Sequence, residues 1–158
     1  DVVLIEFSDY NCGYCRRAWG PLSELVSADA RLAVHLVHFA ILSPGSEAAA
    51  VLQQAVWLRE GADKAAALHR AMMNLSGHID ADRARMVCAS LGIAFPSADL
   101  MKAARFDIAE NRRLAAPLNI RYTPTFAIAD TTFIGWPGPG TVSTMIAQAR
   151  QCGRLQCG

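Results

Sequence analysis

The sequence has 158 residues, of which 53% are hydrophobic and 18% are charged, and its formal net charge is +1. This length indicates one domain with a substantial core, and the composition excludes a disordered chain. The near-zero charge gives no support for nucleic-acid binding through a basic surface. No apolar run reaches the roughly 18 residues that a membrane-spanning helix requires, so we expect no transmembrane segment.

The first predicted element is an apolar strand at the very start of the chain. Residues Val2–Phe7 are apolar except for Glu6, which is typical of a central strand. No signal peptide precedes this strand. Because a native chain seldom starts inside its first core strand, we expect a trimmed or mature core whose signal and N-terminal segment are missing.

A helical pattern follows over residues 14–27, and Pro21 is expected to kink that helix. Leu32–Phe39 then alternates as a second strand, which completes a strand–helix–strand unit with parallel strands. His35 and His38 lie on opposite faces of the second strand, so we expect no shared metal site there.

The middle and the end of the chain complete an α/β pattern. Four helices are predicted there, one capped by Ser46 and ended by Gly61, then Asp63–Leu75, Asp80–Leu91 and Ser97–Leu118. Two short strands, Thr125–Ala129 and Thr132–Gly135, surround an Asp130-Thr131 turn, and Thr141 is expected to cap a last helix ending near Arg150. We therefore predict one domain over residues 1–158, with a helical insertion at about 46–118 between core segments 1–45 and 119–151.

The sequence Cys12-Gly13-Tyr14-Cys15 carries the chemistry. A lone C-x-x-C also fits half of a zinc site, but the second half is missing at finger spacing. The motif follows a strand and opens a helix, where backbone N–H groups and the helix dipole stabilise a thiolate. We expect Cys12 to be the exposed nucleophile with a lowered pKa, and the more buried Cys15 to resolve the mixed disulfide.

Two further elements accompany the cysteines. Strand alternation allows Glu6 to point inward beneath the sulfurs, where a buried carboxyl with a raised pKa can take the proton from Cys15. The alternative is a surface glutamate on an edge strand. Thr123-Pro124 precedes a late strand and could form a simple turn; only about 5–6% of X–Pro bonds are cis, so the sequence alone cannot identify a cis bond here.

Together these motifs resemble the bacterial DsbA-like family, and in particular its Com1- and ScsC-like branch. The resemblance runs from Val2 to about Ala149 and is carried by Leu4–Cys15, the helical insertion and Tyr122–Phe126. It implies a thioredoxin fold with an inserted all-helical subdomain. It also implies a periplasmic or other extracytoplasmic location in bacteria, and disulfide exchange with proteins that contain thiols or disulfides.

The resemblance also implies roles for individual residues. Pro124 is expected to be cis and to pack against the cysteine pair, and the Thr123 backbone is expected to bind an extended substrate as an added strand. Trp136 either lines the substrate groove or packs its own loop. The predicted site has Cys12, Cys15, Glu6 and Pro124 as catalytic residues, and Gly13, Tyr14, Thr123 and Trp136 as substrate-binding residues.

The direction of the exchange is left open. Gly13, Tyr14 and Thr123 also resemble the disulfide isomerase DsbC, and the histidine that DsbA carries in its motif is absent here. A less stabilised thiolate makes a disulfide less oxidising, so we expect less oxidising power than in the prototype oxidase. An oxidase is favoured, with an isomerase or reductase close behind; the redox partner would be a DsbB-like or a DsbD-like membrane protein. Tyr122 stands where glycine is common in the family.

The remaining cysteines suggest other roles. Cys152 and Cys157 are spaced for a small structural disulfide, with two free thiols as the alternative, and Cys88 is expected to be a buried apolar residue. No metal and no cofactor beyond the Cys12–Cys15 disulfide is expected. A different hypothesis is a copper-binding protein that uses Cys12 and Cys15 as thiolate ligands. A glutathione-transferase-like relative is disfavoured because such proteins generally lack the second cysteine.

Overall fold

The computed structural model describes residues 1–157. In chain order these residues form β1 (Val2–Ser8), α1 (Gly13–Ala28), β2 (Leu32–His38), α2 (Pro44–Glu60), α3 (Ala62–Met73), α4 (Ala81–Ser90), α5 (Ala98–Ala115), β3 (Thr125–Ile128), β4 (Thr131–Ile134) and α6 (Pro139–Cys152). The strands form one sheet in the order β2-β1-β3-β4. β1 is therefore central, and it pairs antiparallel with β3 so that Glu6 lies opposite Phe126.

The backbone forms two compact units. The sheet unit comprises residues 1–8, 12–37 and the segment from residue 122 onward, and the helical unit comprises residues 9–11 and 38–121. The helical unit is thus wider than the predicted insertion of 46–118. It also includes three residues directly before Cys12, which the sequence pattern assigned to the core.

The core of the sheet unit lies between the sheet and two helices. Leu4 of β1 and Phe126 of β3 are fully buried, and α1 contributes Leu22 while α6 contributes Val142 and Ile146. Helix α1 continues across Pro21 to Ala28. The alternation of β1 and the helical spacing of α1 therefore place their apolar residues as the sequence predicts.

The helical unit is organised around α2, which contacts α3, α4 and α5. Gly45, in the first turn of α2, lies so close to the carbonyl group of Ile79 that a Cβ would overlap it. No helix among residues 1–157 has the length and hydropathy needed to cross a membrane.

Several predicted boundaries were wrong. Helix α2 is capped by Ser43, whose hydroxyl accepts from the backbone N–H of Ser46 at 3.0 Å, because Pro44 suits the first helical position. Asp80 caps α4 as predicted. Helix α5 ends before residue 118, and α6 begins at Pro139 rather than Thr141. The hairpin turn comprises residues 129–130, one position before the predicted Asp130-Thr131 turn, because Ala129 adopts a left-handed φ of 51°.

Candidate active site at the start of helix α1

Cys12 is the N-cap residue of α1. Its backbone is extended, with φ −81° and ψ 113°, and its Sγ accepts from the backbone N–H of Cys15 at 3.4 Å. A sulfur thus occupies the position where a serine or aspartate oxygen usually satisfies the free N–H groups of a first turn. The Cys12 sulfur thus lies at the positive end of the α1 dipole, where a negative charge is stabilised.

The sulfur of Cys12 is covered by the loop that precedes β3. The carbonyl oxygen of Thr123 lies 3.1 Å from Cys12 Sγ and accepts a hydrogen bond from it when Cys12 is protonated. Cys12 is only 5% exposed and Cys15 is 0% exposed, and both carry thiols. The prediction of an exposed nucleophile was therefore wrong, because a residue 111 positions later in the chain covers it; the predicted order of burial, with Cys15 deeper, is confirmed.

The surroundings of Cys12 stabilise its thiolate. The pKa of Cys12 is lowered from 9.0 to about 5, chiefly by a hydrogen bond from the Cys15 side chain. Burial opposes this shift, whereas the Thr123 side chain and the backbone N–H groups of Cys15 and Tyr14 add to it. At neutral pH the Cys12 sulfur is therefore a thiolate, the form that attacks disulfides.

The Thr123–Pro124 peptide bond is cis, as the family resemblance implied. Two hydrogen bonds fix the loop on either side of it. The Gly135 backbone N–H donates to the Pro124 carbonyl oxygen at 2.8 Å, and the Thr125 hydroxyl donates to the Tyr122 carbonyl oxygen at 2.7 Å. The loop thus presents the Thr123 backbone beside Cys12 Sγ, with the Tyr122 side chain 62% exposed next to it.

Glu6 points into the protein from the central strand, so the edge-strand alternative was wrong. Its side chain is 1% exposed, and within residues 1–157 its Oε1 has no hydrogen-bond partner. Burial raises the pKa of Glu6 to about 7, and the charge of Cys12 adds to this shift while the Ser8 side chain opposes it. A carboxyl group with this pKa can both accept and return a proton near neutral pH.

The predicted substrate-binding residues do not all lie together. Gly13 and Tyr14 are exposed on the first turn of α1, and Tyr14 is 67% exposed. Trp136 instead packs against the core of the sheet unit, with its ring centroid 5.7 Å from that of Phe126. This position agrees with the alternative interpretation, in which Trp136 packs its own loop.

A buried polar cluster that the sequence pattern did not predict lies directly before Cys12, in the helical unit. Asp9 is 2% exposed, and its carboxylate accepts from the backbone N–H groups of Asn11, Ile41 and Leu42 at 2.7 to 3.0 Å. The side chain of Asn11 exchanges two hydrogen bonds with the backbone of Ile79. The signal available in the sequence was the polar run Ser-Asp-Tyr-Asn between an apolar strand and the C-x-x-C motif.

The same cluster contains two buried histidines. Tyr10 Oη lies 2.9 Å from His69 Nδ1, and the Tyr10 ring also contacts that of His38, at 5.4 Å between centroids. His38 Nε2 is 2.6 Å from Gln53 Oε1. Burial lowers the pKa of His38 to about 4 and that of His69 to about 3, so both rings are neutral at physiological pH.

The other cysteines lie away from this chemistry. A disulfide joins Cys152 and Cys157, as their spacing predicted, with a Cα–Cα distance of 5.8 Å. Cys88 is buried on α4, also as predicted. The part of the chain that the structure describes holds no group of three or more His, Cys, Asp or Glu side chains placed to bind a metal. A copper site would therefore have to rest on Cys12 and Cys15 alone.

A comparison with protein families identifies the family of this chain. The family described as the DsbA-like thioredoxin domain matches residues 3–147. The chain therefore belongs to the DsbA-like thioredoxin family, and the predicted thioredoxin fold with a helical insertion is confirmed. Membership of this family places the chain among the thiol–disulfide oxidoreductases. No curated protein sequence matches it.

Solved structures share the fold over nearly the whole chain. A thioredoxin-like oxidoreductase from Silicibacter pomeroyi DSS-3 is 28% identical with a TM-score of 0.84, covering 96% of this chain and 88% of its own. A periplasmic thioredoxin-like protein from Salmonella enterica serovar Typhimurium is 22% identical with a TM-score of 0.86, covering 93% and 83%. The catalytic domain of Proteus mirabilis ScsC is 24% identical with a TM-score of 0.84, covering 94% and 82%. The last two similarities concern the fold.

Proposed function

We propose that this protein introduces disulfides into extracytoplasmic proteins, with Cys12 and Cys15 as its redox pair and no other cofactor. The lowered pKa of Cys12, at about 5, carries this proposal. A stabilised thiolate favours the reduced form of the enzyme, so its disulfide is a good oxidant. Reduction runs the same steps in reverse, whereas isomerisation begins with attack of the Cys12 thiolate on a substrate disulfide and ends when another substrate thiolate releases Cys12; these are the rival outcomes.

The proposed reaction begins from the Cys12–Cys15 disulfide. A substrate thiolate attacks Cys12 Sγ, the Cys12–Cys15 bond breaks, and Cys15 leaves as a thiolate that takes up a proton. A second substrate thiolate then attacks the substrate sulfur of the mixed disulfide, and Cys12 leaves as its stabilised thiolate. Two electrons thus pass from the substrate to the enzyme, and the substrate gains one disulfide.

Other residues of the site support these steps. Glu6, buried with a pKa of about 7, gives a proton to Cys15 and takes it back in the reverse direction. The Thr123 backbone, beside the sulfur and held by its cis bond to Pro124, binds an extended substrate as an added strand. Gly13 and Tyr14, which are both exposed on the first turn of α1, contact the substrate on the side of Cys12 away from Thr123.

The proposed location is the periplasm or an equivalent oxidising space in bacteria. The periplasmic thioredoxin-like protein of Salmonella enterica, which shares the fold, supports this location, as does the Cys152–Cys157 disulfide, because structural disulfides persist in oxidising compartments. A DsbB-like membrane protein would then reoxidise the enzyme, whereas a DsbD-like protein would reduce it if it acts as an isomerase.

The reduction potential of the Cys12–Cys15 pair tests the direction. We expect a potential above about −200 mV, the range of oxidising members of the fold, measured by equilibration with glutathione. A value near about −270 mV, that of thioredoxin, would contradict the oxidase and favour a reductase. Refolding of a substrate with scrambled disulfides, with a Cys12→Ala control, separates an isomerase from both.

A further inference from the structure

The exposed side of the C-x-x-C motif carries an arginine that the proposed reaction does not use. The guanidinium carbon of Arg17 lies 4.3 Å from the centroid of the Tyr14 ring. Its Nη1 is 3.6 Å from the position that a Cβ on Gly13 would take. Arg17 therefore folds back along α1 toward the residue that follows Cys12.

Among residues 1–157 the charge of Arg17 has no counter-ion. None of the salt bridges formed by residues 1–157 includes Arg17, and the first turn of α1 has no acidic residue. Both Arg17 and Tyr14 are exposed. The aromatic ring limits the freedom of the guanidinium group, whose planar donors fit a carboxylate in a bidentate pair.

We propose that Arg17 is a specificity-determining residue that favours substrates with an aspartate or glutamate next to the reacting cysteine. This inference rests on the proposed function and names the substrate class of the same site. A substrate whose sulfur reaches Cys12 must bring its flanking residues over Gly13 and Tyr14. A carboxylate in that segment can form an ion pair with the guanidinium group of Arg17, which lies beside Gly13 and Tyr14.

Arg17 acts on the substrate and not on the reactive sulfur. The largest contributions that lower the pKa of Cys12 come from Cys15, Thr123 and Tyr14. Loss of the Arg17 charge is therefore expected to change the preference among substrates while the thiolate of Cys12 stays as it is. An experiment can therefore measure substrate preference separately from the reactivity of the Cys12 thiolate.

The test uses the reduced protein and three cysteine peptides activated as 2-pyridyl disulfides, with aspartate, asparagine or lysine next to the cysteine. The Cys12 thiolate attacks the peptide sulfur, the peptide–pyridyl S–S bond breaks, a Cys12–peptide disulfide forms, and 2-thiopyridone leaves and is measured by its absorbance. The neutral pyridyl disulfide of mercaptoethanol reports the reactivity of Cys12 without a peptide. Arg17→Gln and Arg17→Glu are compared with Arg154→Gln, an exposed arginine in the C-terminal loop that makes the same charge change.

We expect Arg17→Gln to lower the aspartate-to-lysine rate ratio by about two- to five-fold, the effect of one exposed ion pair. Arg17→Glu should lower it further, Arg154→Gln should leave it unchanged, and about 1 M salt should remove the difference between wild type and Arg17→Gln. An unchanged ratio in Arg17→Gln, or an equal slowing of all three peptides, would overturn the inference. Wild-type protein that fails to react even with the neutral disulfide would instead refute the proposed function.

Discussion

Two cysteine pairs occupy opposite kinds of helix end in the sheet unit. Cys12 caps the start of α1, where its sulfur faces the backbone N–H of Cys15. Cys152 ends α6, where its sulfur lies 3.6 Å from the carbonyl oxygen of Gln148 and 3.5 Å from that of Arg154. The positive end of a helix dipole stabilises a thiolate, and the negative end destabilises one.

This difference predicts different roles for the two cysteine pairs. A stabilised thiolate at Cys12 is a good leaving group, so we expect the Cys12–Cys15 disulfide to be easily reduced. The Cys152 sulfur lies at the negative end of α6, where a thiolate is disfavoured, so we expect the Cys152–Cys157 disulfide to resist reduction. The disulfide instead closes a short loop whose Leu155 packs against the core of the sheet unit. We therefore expect position relative to a helix end to distinguish the redox pair from the structural pair.

Removal of the Cys12 sulfur gives the largest expected effect. Cys12→Ala should reduce disulfide exchange to the uncatalysed rate, because the substrate has no sulfur to attack. Refolding of a reduced protein substrate measures this loss. The Cys152→Ser/Cys157→Ser double variant is the matched control. Activity that survives in Cys12→Ala but disappears in the double variant would reverse the assignment of the two pairs.

Glu6→Gln removes the buried proton carrier without changing its shape. We expect exchange to slow by up to about a hundred-fold, at the low end of general acid–base catalysis. The inflection near pH 7 that the Glu6 pKa gives to the rate profile should also disappear. Because the raised pKa makes an ionised Glu6 destabilising above pH 7, the variant should unfold at a higher denaturant concentration at pH 8. A pH–rate profile identical to that of wild type would show that Glu6 carries no proton in the reaction.

The lowered pKa of Cys12 also predicts how stability depends on pH. A group whose folded pKa lies below its unfolded value stabilises the fold at high pH and loses that effect as pH falls. The reduced protein should therefore gain unfolding free energy relative to the oxidised protein as pH rises from about 5 toward 9. Denaturant unfolding of both forms across this range measures the difference, in which the contribution of residues common to both largely cancels. Parallel curves for the two forms would contradict a stabilised thiolate.

The smallest effect is expected at the C-terminal pair. Cys152→Ser/Cys157→Ser should lower the free energy of unfolding by about 2 kcal/mol, the value expected for a loop this short. Disulfide exchange and the reduction potential of the active pair should not change. Chemical denaturation and the glutathione equilibrium measure the two quantities, and a shifted potential would show that the C-terminal disulfide takes part in the redox chemistry.

Local sequence signals predicted most of this site. The strand–turn–helix around Cys12 and the alternation that turns Glu6 inward are contained within fifteen residues, so pattern and spacing were sufficient. The cover over Cys12 was not predictable in this way, because it comes from Thr123, far along the chain. The contact between Tyr10 and His69 spans 59 positions and was missed for the same reason. The misplaced cap of α2 was a local error, because the preference of proline for a first helical turn outweighs the capping potential of Ser46.

The thiolate titration of Cys12 tests the central claim most directly. The ultraviolet absorbance of the thiolate in the reduced protein, followed against pH and corrected with Cys12→Ala, reports the ionisation of this one sulfur. The structure predicts a midpoint near pH 5. A midpoint near the ordinary cysteine value of about 8.5 would contradict the stabilisation of Cys12 at the start of α1, and with it the distinction between the two cysteine pairs.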